Sequence, residues 1–260
     1  MLPQGLFEEA RPVAERLREV QADTVYIWIK KAEAFSFLGD DEQVLVALAA
    51  AKKAGPEAEA GLLYHLTAVA ALRQGNTALA HRHWQLALKL SPNLSQAQQN
   101  RDDLMKRVGE RHAPWAFDLW NWIPQPIIRE LAETAEKATR RGSSEEAVRR
   151  GLQRLVREHP EWERLVPALL DRSGPESRLM ALRVAKYLDT PVLRQALMDY
   201  ALGQRGPDAL RWEAARLARD AGLLSASVPV RLWLGGEWKE VLLLEFDVYN
   251  EAVPSNHSSR

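Results

Sequence analysis

Histidine is the first side chain to weigh for chemistry here, because the chain contains six histidines and no cysteine. The missing thiols exclude disulfides, cysteine-ligated zinc or iron–sulfur sites and thiol catalysis. His81 and His83 are two residues apart, about 200° around a helix axis, so they cannot grip one metal as residues four apart can. His65 falls on a different predicted helix and could approach one of them. The expectation is one half-buried ring and one solvated ring, with no metal site and no cofactor. No glycine-rich phosphate loop, GxSxG elbow or HExxH pair is present, and any catalytic carboxylate pair would have to be assembled from distant segments. The chain is therefore expected not to be an enzyme, with the regulatory subunit of one kept as an alternative.

Arginine offers a second chemistry. In KATRRGSSEEAVRRGLQRLVREH, residues 137–159, Arg150, Arg154 and Arg157 share a helical face that could contact phosphates. Glu145, Glu146 and Glu158 dilute it, so a solvated face is preferred over a nucleic-acid patch. Lys plus Arg and Asp plus Glu both number 35, and residues 1–110 carry 13 basic against 14 acidic groups. Neither half has the global field of a nucleic-acid or acidic-membrane binder. The start, MLPQGLFEEARP, lacks a basic segment followed by an apolar run, and runs such as VLVALAAA fall far short of the ~20 residues of a spanning helix. A soluble, cytoplasmic protein without a membrane partner is expected.

The elements that must carry these residues are helices in repeated pairs. GNTALAHRHWQLALKLSP, residues 75–92, places Ala80, Trp84, Ala87 and Leu88 on one face, with Gly75 and Asn76 as helix end and cap and Pro92 as a stop. The pattern recurs 36 residues upstream as GDDEQVLVALAAAKKAGP, where Gly39, Asp40, Val44, Leu48, Ala51 and Pro56 take the matching positions. An amphipathic helix precedes each copy, with Trp28, Ala32 and Phe35 matched by Tyr64, Ala68 and Ala71.

This pattern resembles the tetratricopeptide repeat, which has a period near ~34 residues. Two departures stand out: Val44 and Leu48 replace the usual Ala and aromatic in the first copy, and its 36-residue spacing is two residues longer than that period, an excess assigned to PEAEA after Gly55. The resemblance covers about residues 24–110. A degenerate third unit, PNLSQAQQNRDDLMKRVG, reads as an end cap or a joint, and FEEARPVAERLREV as a partial helix packed on the first unit. Alanines let helices approach, and Trp28, Tyr64 and Trp84 act as core wedges between neighbouring pairs.

The resemblance implies a non-catalytic scaffold or adaptor that holds a peptide segment or partner helix in a concave groove, the partner being another protein or peptide. The implied groove residues are Tyr26, Ile29, Lys30, Glu33 and Phe37 in one unit and Leu62, His65, Leu66, Val69 and Arg73 in the next, with Asn100 placed to hydrogen-bond a ligand backbone. Ile29, Glu33 and Val69 leave no basic cluster for a carboxylate, which argues for a hydrophobic or helical ligand. Alternatively, the groove is filled by the protein's own N-terminal helix.

Beyond residue 110 the composition changes. RHAPWAFDLWNWIPQP, residues 111–126, brings Trp115, Trp120 and Trp122 together with three prolines. It reads either as an exposed docking cluster or as a plug between two helical arrays. The plug is preferred because large exposed aromatic patches are uncommon on soluble proteins. Helical patterning returns from IIRELAETAEKATRRG onward, with Ser143 and Glu146, Ser173 and Glu176, and Thr190 with Pro191 as helix starts. RLMALRVAK (178–186) echoes RWEAARLAR (211–219), with Arg178, Ala181, Arg183 and Ala185 matching Arg211, Ala214, Arg216 and Ala218. That pair resembles HEAT or armadillo arrays.

Finally, SVPVRLWLGGEWKEVLLLEFDVY predicts a hairpin about Gly235 and Gly236, with Leu234 opposite Glu237, Trp233 opposite Trp238 and Arg231 opposite Glu240. It must lie against the helices or add to a partner's sheet, self-association through its edge included. The expected fold is all-α, a helical-repeat solenoid with a small C-terminal β-hairpin. Its parts are a repeat domain (1–110), an aromatic connector (111–126), a second helical array (127–224), the hairpin (225–250) and a disordered tail (251–260).

Overall fold

The computed structural model describes residues 7–55, 61–123, 128–130, 133 and 145–244. Over these the chain is mostly helical. Helices α1 (Phe7–Glu19), α2 (Val25–Leu38), α3 (Asp41–Ala54), α4 (Gly61–Arg73), α5 (Thr77–Leu90) and α6 (Ser95–Asp103) precede a short α7 (Leu119–Trp122). Then come α8 (Glu145–Glu158), α9 (Glu161–Arg172), α10 (Pro175–Tyr187), α11 (Pro191–Ala201) and α12 (Asp208–Asp220), followed by β1 (Val230–Leu234) and β2 (Glu237–Val241).

The repeat is built from one turn used twice. Gly39 and Gly75 both have positive φ, +75° and +84°, which a residue with a Cβ adopts only at a cost. In each copy the glycine N–H and the next N–H reach back into the last helical turn, to Ser36 and Phe35 in the first and to Leu72 and Ala71 in the second. That pattern satisfies carbonyls that the helix end would otherwise leave unpaired. Asp40 and Asn76 then cap the following helices, their side chains accepting from the N–H groups of Gln43 and Leu79. The chain therefore reverses at the same point of both units, and α2 packs on α3 as α4 packs on α5.

Between the helices lie the small residues and rings that the pattern placed there. Ala32, Ala51, Ala68, Ala80 and Ala87 are buried, and so are Trp28, Tyr64 and Trp84. Trp28 donates its indole N–H to the Ala22 carbonyl at 2.9 Å, and Lys31 lies over the Trp28 ring at 4.3 Å while donating to Val20, so the α1–α2 link is tied to the first pair. Helix α1 packs on α2, and its Ala10 and Ala14 are buried. Helix α5 stops at Leu90, two residues before Pro92. The insertion assigned to PEAEA, the cap at Ser143, most of IIRELAETAEKATRRG and the tail from 251 lie outside the described residues.

Two local readings change. His81 and His83 are both half-buried, because Tyr64 stands edge-on to His83 with ring centroids 5.5 Å apart and keeps that ring from full solvation. Ser173 does not cap α10: Gly174 is the N-cap and Pro175 the first helical residue, while the Ser173 hydroxyl turns back to the Leu169 carbonyl of α9. Thr190 does cap α11, accepting from Leu193 N–H ahead of Pro191.

At the C-terminus β1 and β2 pair antiparallel with Trp233 opposite Trp238 and Arg231 opposite Glu240, the register set by the Gly235–Gly236 turn. The two indoles meet edge to face at 5.3 Å, and Arg231 lies over the Trp238 ring. The hairpin lies against α12: Leu232 is buried, Arg211 donates to the Trp233 carbonyl, and Gly235 N–H donates to Asp208.

Candidate functional site

The site starts at α6, whose polar residues proved to be grips. Asn100 is fully buried, and its carboxamide pairs with the backbone of Trp115 in both directions, accepting from the N–H at 2.9 Å and donating to the carbonyl at 2.9 Å. A further N–H bond to the Gln96 carbonyl of its own helix holds the group in place. Three residues on, one Asp103 carboxylate oxygen accepts from the N–H groups of His112 and Ala113, at 2.7 and 2.6 Å. The segment 112–117, which has no regular secondary structure, is thus held by its main chain, as an extended peptide would be.

Helix α4 supplies the next grip. Trp84 of α5 donates its indole N–H to His65 Nδ1 at 3.1 Å, which leaves the proton on Nε2, 3.1 Å from the Ala116 carbonyl. Burial pushes the His65 pKa down to about 4, against the opposing pull of the Ala116 carbonyl, so the ring is neutral at pH 7. Helix α2 completes the contact: Phe37 stacks on Phe117 at 3.9 Å with planes 7° apart, and Trp122 stands edge-on to both rings. Trp115 and Trp122 are buried, while Trp120 is 55% exposed.

The residues expected to line the groove therefore divide into two sets. His65, Leu66, Val69 and Asn100 are buried, Phe37 is covered by Phe117, and Arg73 is engaged in ion pairs. Tyr26, 62% exposed, and Lys30 stay open on α2, and Ile29, Glu33 and, on α4, Leu62 are half-buried. Lys30 pairs with Glu33 at 2.7 Å and lies over the Tyr26 ring. The segment that follows α6 covers His65 and Asn100, whereas α1 packs on α2.

A junction that the sequence reading missed joins the two halves. The C-terminal ends of α2, α4 and α9 converge, and arginines cap their carbonyls. Arg172 donates to the Phe37 carbonyl, Arg205 to that of Arg73, and Arg73 and Arg178 to that of Asp171. Helix C-termini carry the negative end of the helix dipole, so they offset this concentration of positive charge. Asp41 and Asp171 supply the carboxylates, both paired to Arg73, at 3.0 and 2.8 Å. Burial alone would raise both carboxyls. At Asp171 the guanidiniums of Arg73, Arg172 and Arg205 outweigh it and hold the group below its ordinary range, whereas at Asp41 burial prevails and the group is raised. The available signal was position, since Arg73 and Arg172 close their helices.

The 33-residue echo has a physical meaning of the same kind. Arg178 and Arg211 are both buried, and both gather main-chain carbonyls from just ahead of their helix, the last turn of α9 for Arg178 and the loop before α12 for Arg211, and from a passing segment. Arg178 takes Leu170, Asp171 and His112, and Arg211 takes Arg205, Gly206 and Trp233, with Asp208 added. The matched Arg183 and Arg216 are exposed, and the matched alanines are buried.

Elsewhere, Arg150, Arg154 and Arg157 are exposed on α8, with Glu146 paired to Arg149 and Arg150. Among the described residues there is no group of three or more His, Asp or Glu placed to hold a metal ion, and no helix is long and apolar enough to cross a membrane. Comparison of the chain with protein-family models, with curated proteins and with solved structures finds no match.

Proposed function

We propose that this chain is a non-catalytic protein–protein interaction scaffold of the tetratricopeptide type, its partner being a peptide segment or helix of another protein. The observation that carries this reading is the way Asn100, Asp103 and His65 hold the main chain of residues 112–116. An inner face that grips a backbone through buried side chains is built for extended polypeptide, and curved helical stacks present such faces by their geometry. The 36-residue spacing of identical glycine turns supports the family reading. With the connector seated over α4 and α6, the partner lands on the open remainder of α2, on Tyr26, Ile29, Lys30 and Glu33.

A photoreactive amino acid in place of Tyr26, expressed in the native host, should yield a discrete crosslinked protein. The same group at exposed Lys89 on α5 should not. The adduct should disappear when Lys30→Ala and Glu33→Ala accompany the probe. No adduct at position 26, or equal adducts at both positions, overturns the proposal.

A further inference from the structure

The cleft between α7 and the start of α10 holds polar groups that the packing leaves unused. It has a volume of about 280 Å³ and is lined by Gln99, Asp118, Leu119, Trp120, Glu176 and Ser177, together with Gly174 and Pro175. Ser177 is 1% exposed, and its hydroxyl has no hydrogen-bond partner among the described residues. The Trp115 indole N–H is equally unpartnered and lies against Gly174, where a Cβ would sit 3.1 Å from the nitrogen. The N-cap of α10 is that glycine, so no side chain caps the first turn. Of these donors, the Ser177 hydroxyl and the uncapped first turn of α10 belong to the cleft lining, awaiting an acceptor.

The rim has the opposite character. Asp118 and Glu176 face it, no basic side chain lines it, and neither carboxylate has a cationic partner among the described residues. Asp118 accepts one bond, from Gln96 at 2.6 Å. Trp120 supplies an exposed indole face beside them.

We infer that this cleft docks an arginine residue of an extended partner segment. The inference rests on the scaffold reading above and names the chemistry of the partner. The arginine's own peptide carbonyl accepts from the Ser177 hydroxyl and the first turn of α10. Its aliphatic stem crosses the Trp120 ring, and its planar guanidinium reaches Asp118 and Glu176, a geometry that stacks and forks as an ammonium cannot. A carboxylate or phosphate ligand, which the helix start alone would favour, is repelled by the two acidic side chains. The volume, just below the range of small-molecule pockets, suits one side chain.

The test is a titration of the ¹⁵N-labelled chain with acetyl-Ala-Ala-Arg-Ala-Ala-amide, following the Trp120 indole N–H signal assigned through Trp120→Phe. The expected result is a saturable shift with Kd on the order of 1 mM. It should weaken about tenfold with the citrulline peptide or in Asp118→Asn with Glu176→Gln, and about threefold in Ser177→Ala, with the rest of the spectrum unchanged. Equal binding of the arginine and citrulline peptides, tighter binding of a glutamate peptide, or no shift at all overturns the inference. Loss of the Tyr26 adduct with this titration intact removes the α2 surface and leaves the cleft; the reverse outcome removes the cleft alone.

Discussion

Truncating Asn100 would leave the Trp115 N–H and carbonyl buried without partners. Each such group costs about 1–3 kcal/mol, so Asn100→Ala should lower stability by about 2–4 kcal/mol in urea titration. Asn100→Asp keeps the acceptor and loses the donor, and should fall between. His65 predicts a pH dependence. Its native pKa of about 4 lies below the ordinary histidine value, so as pH falls through 6.5 the unfolded chain takes up the proton first. Stability is full above that pH and is lost between 6.5 and 4, on the order of 2 kcal/mol by pH 5 from His65 alone. Burial depresses His112 to about 4 as well, so the trend has a second contributor of the same sign. Comparing urea midpoints at pH 7 and pH 5 checks this, and His65→Gln should shrink the difference. Neither residue's task was legible from its neighbours. Asn100 was expected to hydrogen-bond a ligand backbone, yet its partner is this chain's own Trp115.

Among elements, the paired turns predict an asymmetry between equivalent glycines. At Gly75 nothing lies within 4 Å of the position a Cβ methyl would take, so Gly75→Ala should cost only the positive φ, about 1–2 kcal/mol. At Gly39 the same methyl meets the Arg172 guanidinium, so Gly39→Ala should cost more and release Arg172 from the Phe37 carbonyl. Thermal denaturation of the two variants gives the order. The helix pairs, their caps and the hairpin register were legible because each is decided within a few residues: an αL glycine, an Asp or Asn three residues before its N–H partner, a Gly-Gly turn. Ser173 misled for a local reason too, since the rigid Pro175 takes the first helical position and leaves the serine one residue too early. The echo of Arg178 in Arg211 was visible as spacing, but the burial of both guanidiniums follows from carbonyls brought in from residues 112 and 233.

At the scale of the whole molecule the halves are joined by charge as well as by rings. Asp171 holds Arg73, Arg172 and Arg205 at once, so Asp171→Asn should cost about 1–3 kcal/mol, a figure discounted for the partial exposure of the carboxylate. Its sharper signature is loss of coincidence: unfolding followed by tryptophan fluorescence and by far-ultraviolet circular dichroism should separate in the variant and coincide in the parent. The sequence by itself determined where helices begin and stop, which residues wedge between them, and the pairing of the hairpin, because periodicity, caps and turn residues act over a few positions. Only the tertiary structure decided which of the expected groove side chains the chain itself covers. The cover on Phe37, His65 and Asn100 comes from residues 115–117, and the His65–Ala116 bond joins positions 51 apart. Helical period cannot tell a face that awaits a partner from one that already holds its own chain, since both need the same apolar and hydrogen-bonding side chains.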